Sequence, residues 1–208
     1  PSFRRNFFDR LIYTSNKNYN SIINNYKKFV HERQSLMKDS VYDENWIDEL
    51  ERNIAKYGTI IYKKRISHIG IINSILKEIN NKEHFAKNFS LKINDDFLEK
   101  NSDIDQNEDL YFSELKHNRK KDFYAGGCTI GPHRSDIMGL NINNNFNLNQ
   151  LSTGQQKTIV LLIIISQSLY LIKELNLKPI ILLDEICSHL DDVNREVILY
   201  LINELKVQ

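Results

Sequence analysis

Apolar residues recur at helical spacing through the first eighty positions of this chain, and polar residues fill the positions between them. The pattern runs through residues 7–37, resumes at Trp46 and continues to Ile79. Spacing of three and four residues places apolar side chains on one face of a helix. Residues 7–80 are therefore predicted to form two or three long amphipathic helices that pack on one another.

The pattern changes near residue 88. Alternating apolar and polar residues after that point predict short strands, and clusters of polar residues predict loops. The predicted elements are a strand at 89–93, a polar loop at 101–109, a helix at 110–123, a strand at 137–140 and a turn region at 141–150. We expect an α/β (α+β) fold, with a helical lobe over residues 1–87 and a second lobe over residues 88–208.

The last third of the chain is more apolar. Residues 155–175 are apolar on nearly every side, which is typical of a buried core helix. Pro179 helps to end this helix, because proline cannot donate a backbone hydrogen bond. Residues 180–183 are predicted to form a buried parallel strand, apolar on both faces, and residues 193–205 a further helix.

Charge and composition narrow the function classes. The chain has 28 Lys and Arg against 27 Asp and Glu, so it is not polybasic as a whole, and only local basic patches remain open. Its two cysteines form no CxxC pair, and its six histidines show no metal-ligand spacing. The sequence shows no signal peptide and no apolar run of the roughly 20 residues that cross a bilayer. We expect a cytoplasmic protein without a membrane partner.

Ser152, Thr153 and Gly154 stand where the core helix begins. The start of a helix exposes free N–H groups and the positive end of the helix dipole, and it therefore attracts anions. A serine hydroxyl, and a glycine that allows close approach of the backbone, suit a terminal phosphate. The alternative is an ordinary N-cap, in which Ser152 serves the helix alone.

Asp184 and Glu185 follow the predicted buried strand. The carboxyl ends of such strands are where α/β folds bind ligands. In a nucleotide site, Asp184 would hold Mg²⁺ through water, and Glu185 would orient and deprotonate the attacking water. The alternative is that both acids open a solvated loop. The Ser-His-Leu-Asp turn at 188–191 follows, and its alternative role is to supply the N-cap of the last helix, at Ser188 or Asp191.

A second candidate anion contact is the pair His133 and Arg134, which follows a Gly-Pro turn. This basic pair could contact a phosphate of a nucleotide or of DNA. The alternative is a turn at a strand end, or an ion pair with Asp136. The basic runs at 63–65 and 119–121 are predicted to lie on solvated helix faces, and DNA contact is the alternative.

Three of these motifs follow one another near the end of the chain: Ser-Thr-Gly at 152–154, Asp-Glu at 184–185 and Ser-His-Leu-Asp at 188–191. The residues between Gly154 and Asp184 leave room for one helix and one strand. Together the three motifs resemble the signature, Walker B strand and D-loop of the ABC-type ATPases. Within that superfamily the chain resembles the RecF family of DNA-repair proteins over essentially its whole length. The resemblance is carried by residues 4–10, by Trp46, Glu49 and Leu50, by the Gly-Pro-His-Arg-Ser-Asp segment at 131–136, and by the Ser-Thr-Gly form of the signature.

That resemblance implies an ABC-ATPase head-like lobe with an inserted helical lobe and a homodimer that forms on ATP. It also implies binding of duplex DNA and single-strand/duplex junctions, with RecR and RecO as partners, to help load recombinase at gaps. In such dimers the signature of one subunit caps ATP held by the other. Nucleotide contacts are implied for Ser152, Gly154, Gln155, Asp184 and Asp191. The resemblance further implies Asp184 as the Mg²⁺ ligand, Glu185 as the catalytic base and Asp191 at the dimer interface.

One part of an ATP site does not occur in these residues. No G-x-x-x-x-G-K-[ST] phosphate loop is present, and we expect it upstream of Pro1 in a longer protein. We expect this chain by itself to hydrolyse no ATP. Two alternatives stay open. One is a catalytically inactive remnant or adaptor fragment of a RecF-like protein, and the other is the ATPase subunit of an ABC transporter, a class that lacks a comparable G-P-H-R segment and helical insertion.

Overall fold

A computed structural model describes residues 2–38, 43–83, 89–101, 108–142, 150–182, 184, 190 and 192–205. The elements in chain order are α1 (Ser2–Ser15), α2 (Tyr19–Leu36), α3 (Glu44–Glu83), β1 (Phe89–Asn94), α4 (Asp96–Lys100), α5 (Glu108–His117), α6 (Arg119–Ala125), β2 (Asp136–Asn141), α7 (Thr153–Lys173) and α8 (Asp192–Glu204). Long helices with one small sheet fit the predicted fold class.

The first three helices confirm the helical prediction for residues 7–80. α1 buries Phe8 and Ile12, which share one face of the helix. α3 continues for 40 residues without a break at Gly58. A Cβ atom at Gly58 would lie 2.5 Å from the ring of Tyr111. Glycine at this position therefore lets an aromatic ring lie directly against the helix backbone.

The chain divides into two compact units, which we call the first and the second unit. The first unit comprises Pro1–Ser67 with Ile93–Ile137, and the second comprises His68–Lys92 with Met138–Gln208. The boundary falls within α3, so one continuous helix contributes residues to both units. The functional division into lobes at residue 87 stays a prediction.

Residues 110–123 form two helices rather than the predicted one. Asn118 separates α5 from α6, and its side-chain amide donates to the carbonyl of Glu114 at 2.7 Å. The same carbonyl also accepts the backbone N–H of Asn118 at 3.0 Å, so the side chain adds a second hydrogen bond at the end of α5. α6 ends at Gly126 in the left-handed conformation, with φ of 69°, as is common after the last turn of a helix.

β1 and β2 pair in a two-stranded sheet, and both strands were predicted. Phe89, Leu91 and Ile93 are buried and alternate with more exposed residues, which confirms the period of two. In the second unit α7 packs along α8. Among the described residues α7 is the one helix long and apolar enough to cross a membrane, and 56% of its apolar window is buried inside the protein. It is built as a core helix, as the sequence predicts.

The prediction of a buried parallel strand over residues 180–183 is wrong for the part that the structure describes. Residues 180–182 form no strand, and the side chains of Ile180 and Leu182 are 78% and 91% exposed. A parallel strand is buried only when neighbouring strands pair with its edges and helices cover its faces. In the described part of the chain β1 pairs with β2, and neither strand pairs with this segment. Leu183 lies outside the described residues.

Candidate functional site

The start of α7 has the geometry of a capping box. Ser152 is extended, with φ of −60° and ψ of 156°. Its Oγ accepts a hydrogen bond from the backbone N–H of Gln155 at 3.4 Å, and the Gln155 Oε1 accepts one from the Ser152 N–H at 3.3 Å. Each residue thus satisfies a donor of the other. The N-cap alternative for Ser152 is therefore correct as a description of the local structure.

The cap leaves donors at this helix start for an outside partner. A helix provides no acceptor for the N–H groups of its first residues, which here are Thr153 and Gly154. The Ser152 hydroxyl uses a lone pair for the cap and keeps its own proton. Ser152 and Thr153 are exposed, and the first turn of α7 contains no acid that would repel an anion. These groups can hold a phosphate oxygen.

Of the acidic residues in the predicted nucleotide site, the structure describes only Asp184. Its side chain is exposed. Glu185 and Asp191 lie outside the described residues. No group of three or more His, Cys, Asp or Glu that could hold a metal occurs in the part of the chain that the structure describes. Asp184 offers the carboxylate oxygen that Mg²⁺ prefers, and its role as the Mg²⁺ ligand stays a prediction.

The Gly-Pro-His-Arg turn lies against two buried tyrosines that sequence reasoning missed. The backbone of Gly131 has φ of +122°, and a Cβ atom there would lie 2.0 Å from the Tyr111 hydroxyl oxygen and 2.4 Å from that of Tyr26. The two hydroxyl oxygens are 3.2 Å apart. Only glycine fits this position, because both the dihedral angle and the space exclude a side chain.

Both ring nitrogens of His133 form hydrogen bonds. Its Nε2 lies 3.0 Å from the carbonyl oxygen of Cys128 and its Nδ1 lies 2.6 Å from the hydroxyl of Tyr26. Because a carbonyl only accepts, Nε2 carries the proton and Nδ1 accepts from the tyrosine. Burial lowers the pKa of His133, the bond to the carbonyl opposes this shift, and the charges of Arg134 and Arg5 lower the pKa further. In this geometry a neutral His133 positions the turn.

Arg134 points its charge to solvent. It is exposed and forms no side-chain hydrogen bond or ion pair with a residue that the structure describes. The predicted alternative, an ion pair with Asp136, is not formed. Asp136 instead accepts from Arg4, with Nε to Oδ1 at 2.9 Å and Nη2 to Oδ2 at 2.5 Å. Although burial raises the pKa of Asp136, the hydrogen bond and charge of Arg4 outweigh it, so the pKa is lowered.

Arg65 holds the same turn from its other side, which corrects the prediction of a solvated face for the basic run at 63–65. Its side chain is 3% exposed. Its Nε and Nη2 donate to the carboxylate of Asp9 at 2.9 and 2.8 Å, and its Nη1 donates to the Pro132 carbonyl at 2.6 Å. The guanidinium fork matches a carboxylate. Asp9 lies 56 residues before Arg65, so no local pattern in the sequence marks this pair.

A second buried ion cluster corrects the prediction for Arg119, which was assigned to a solvated face. Arg33 is 1% exposed and donates to Glu51 at 2.8 Å and to Asp122 at 2.7 Å. Arg119 donates to the same Glu51 at 3.0 Å. The other carboxylate oxygen of Asp122 accepts from the N–H and the hydroxyl of Thr129, at 2.9 and 2.6 Å. The segment that leads into the Gly-Pro-His-Arg turn is thereby tied to α6.

The predicted site residues thus fall into two groups. His133 and Arg134 belong to the first unit, and Ser152, Gly154 and Gln155 belong to the second. The first group is held by buried ion pairs and tyrosines, and the second by a helix cap. The exposed donor of the first group is Arg134, and the exposed donors of the second are at Ser152 and Thr153.

A comparison with protein-family models finds no match. Curated proteins named DNA replication and repair protein RecF are similar to nearly the whole chain. That of Rickettsia typhi is 31% identical over 206 residues, which cover 99% of this chain and 56% of the relative. That of Rickettsia prowazekii is 31% identical over 207 residues, with the same coverage. The chain spans about half the length of these curated relatives.

Solved structures agree with the sequence comparison. The structure of the recombination mediator protein RecF with ATP, in the RecFOR pathway, superposes with a TM-score of 0.80 at 26% identity and covers 99% of this chain and 55% of that one. The structure of RecF with ATPγS gives a TM-score of 0.79 at the same identity. The fold class predicted from the sequence, with its ABC-ATPase-like character, is confirmed. The resemblance to RecF proteins predicted from the sequence is thus confirmed over nearly the whole chain.

Proposed function

We propose that this chain is part of a DNA replication and repair protein that binds ATP and DNA, dimerises on ATP and helps to load recombinase at gaps. The observation that carries the proposal is the exposed donor set at the start of α7, within a chain similar to RecF over 99% of its length. Structures of similar RecF proteins with ATP and ATPγS support ATP as the nucleotide.

The proposed nucleotide contact acts between subunits. The hydroxyl proton of Ser152 and the N–H groups that begin α7 bind the terminal phosphate of ATP held by a second copy, and Gln155 orients Ser152 through the capping box. Within one subunit, Asp184 would hold Mg²⁺ and Glu185 would take the proton of the attacking water. Bound Mg²⁺ would neutralise charge on the phosphates. Asp191 would contact the second copy.

The proposed polymer ligand is DNA, as duplex and as single-strand/duplex junctions. Arg134 supports this part because it is a positive group, exposed and without a side-chain partner among the described residues, and it stands on a turn that buried contacts hold. Phosphate contacts of this kind position a protein on DNA without reading its sequence. RecR and RecO are the proposed protein partners, in the cytoplasm.

One substitution separates the phosphate role of Ser152 from its helix role. Asp is as good an N-cap as Ser, and it favours the positive end of the dipole. We therefore expect Ser152→Asp in the full-length protein to keep or slightly raise the melting temperature. The new carboxylate would meet the phosphate, so ATP-dependent dimerisation, measured by light scattering after gel filtration, should be lost.

The matched control is Ser152→Thr, which keeps both the hydroxyl and the cap. This variant should dimerise on ATP like the unchanged protein. If Ser152→Asp dimerises with an unchanged ATP dependence, Ser152 is a cap alone and the proposed contact between subunits is wrong.

The absence of a phosphate-loop motif from these 208 residues keeps the non-catalytic adaptor as a second candidate. ATP turnover by the full-length protein distinguishes the two. Glu185→Gln should stop turnover and trap the ATP-bound dimer if the protein is an enzyme. A protein that turns over no ATP in the presence of Mg²⁺ and DNA, with or without this substitution, would be the adaptor.

A further inference from the structure

α6 is an inverted amphipathic helix. Its charged residues Arg119 and Asp122 point inward and form the buried ion pairs described above, with Asp122 1% exposed. Its two aromatic residues point outward, with Phe123 53% and Tyr124 76% exposed. A helix on a protein surface normally has the opposite arrangement. Exposed large aromatic side chains next to each other are informative because burial would stabilise them.

The two rings form a defined pair. Their centroids lie 5.5 Å apart and their planes are inclined by 75°, within the range of favourable edge-to-face contacts. The helix that carries them is fixed by the bonds of Asp122 to Arg33 and Thr129. The ring faces are therefore presented to solvent from a rigid element.

Exposed lysines accompany this pair on the same helix and in the adjoining cleft. Lys120 and Lys121 are exposed and form no ion pair with a residue that the structure describes. Lys38, also exposed, lines the same cleft as Phe123. The one acid on α6 is Asp122, and it is buried and paired. The exposed face of α6 thus combines aromatic faces with positive charge alone.

We propose that the exposed face of α6, made of Lys120, Lys121, Phe123 and Tyr124, is a stacking surface for single-stranded nucleic acid. Aromatic faces stack on bases without sequence preference, and the lysines attract the phosphates. A duplex offers no free base face, since its bases stack on one another, so this surface fits the single strand and not the duplex. The inference rests on the proposed DNA binding, and it assigns the single-stranded side of a junction to this helix.

The test measures binding of the full-length protein to fluorescein-labelled oligo(dT) and to a blunt duplex by fluorescence anisotropy. Phe123→Ala/Tyr124→Ala should weaken oligo(dT) binding by about tenfold or more per ring that stacks, with duplex binding unchanged. Lys120→Ala/Lys121→Ala should instead reduce the slope of log affinity against log salt by about 0.7 for each lysine. The matched control, Tyr13→Ala/Lys64→Ala, removes an exposed aromatic and an exposed lysine from other helices and should change neither.

A positive signal complements the losses. Tyr124→Trp keeps an aromatic face at the same position, so its fluorescence should be quenched by added oligo(dT) and not by duplex, relative to the unchanged protein. Thermal melts of all variants check that the fold is retained, which is expected because both rings are exposed.

Three results would overturn the proposal. In the first, the double aromatic variant binds oligo(dT) like the unchanged protein. In the second, it loses duplex and oligo(dT) equally. In the third, it loses association with another protein and keeps oligo(dT) binding, which would make α6 a protein-docking surface. Duplex binding without any oligo(dT) binding would defeat this inference alone, whereas no DNA binding of any kind would also defeat the proposed function.

Discussion

Arg33 offers a direct test of the buried ion cluster in the first unit. Its guanidinium donates to Glu51 at 2.8 Å, to Asp122 at 2.7 Å and to the carbonyl of Leu115 at 3.0 Å. Arg33→Met keeps an apolar chain in the same space and removes all three bonds. Glu51 would still have Arg119 as a cation at 3.0 Å, but Asp122 would keep only its neutral bonds from Thr129.

The loss of these bonds determines the expected decrease in the free energy of unfolding. Removing one partner of a buried ion pair destabilises a protein by about 3–5 kcal/mol, because the other charge stays buried without compensation. For a chain of this size each kcal/mol lowers the melting temperature by about 2–4 °C, so a fall of about 10 °C is expected. Urea unfolding followed by circular dichroism would measure the free energy of unfolding directly.

Two further variants make the result interpretable. Lys28→Met breaks the exposed Lys28–Glu32 pair on the same helix, where the two charged atoms are 3.8 Å apart, and it should cost at most about 0.5 kcal/mol. Arg33→Met/Asp122→Asn should recover part of the loss, because the stranded charge is gone. A loss below about 1 kcal/mol for Arg33→Met, or no recovery in the double variant, would refute the argument that the stranded carboxylate sets the cost.

The turn and its histidine give two more predictions. The pKa of His133 is lowered in the folded protein, so the unfolded state binds its proton first as the pH falls. The free energy of unfolding should therefore decrease below about pH 6.5, and His133→Gln should flatten that decrease in urea titrations at several pH values. An equal slope in both proteins would contradict the assignment. Gly131→Ala should cost more than about 2 kcal/mol because its Cβ would collide with two tyrosine oxygens at a positive φ. The control Gly70→Ala meets no atom within 4 Å and should gain about 0.5–1 kcal/mol from helix propensity, and thermal melts would show whether the two changes have opposite signs.

Local patterns were enough to predict most of the helices, because the spacing of buried positions can be recognised from residues that are close together in the sequence. They also predicted the N-cap at Ser152, whose partner Gln155 is three residues away. They failed for Arg33 and Arg65. Charged residues usually face solvent, and the acids that hold these two inward are far along the sequence.

The strand expected over residues 180–183 shows a second kind of failure. The four residues are apolar, as in a buried strand, but a strand also requires neighbouring strands that pair with its edges. The signal in four residues cannot supply those partners. The turn at 131–136 was predicted in part. Its motif indicated the position of the turn, but it did not indicate that Tyr26 and Tyr111 pack against it.

The buried cluster of Arg33, Glu51 and Asp122 also constrains how this sequence can change over generations. Loss of any one member removes at least one buried ion pair and leaves the remaining charges less well compensated, so each single step passes through a less stable protein. An apolar replacement of the whole cluster could be as stable as the present one, yet it is reached only by several changes together. The three positions are therefore expected to be inherited as a set.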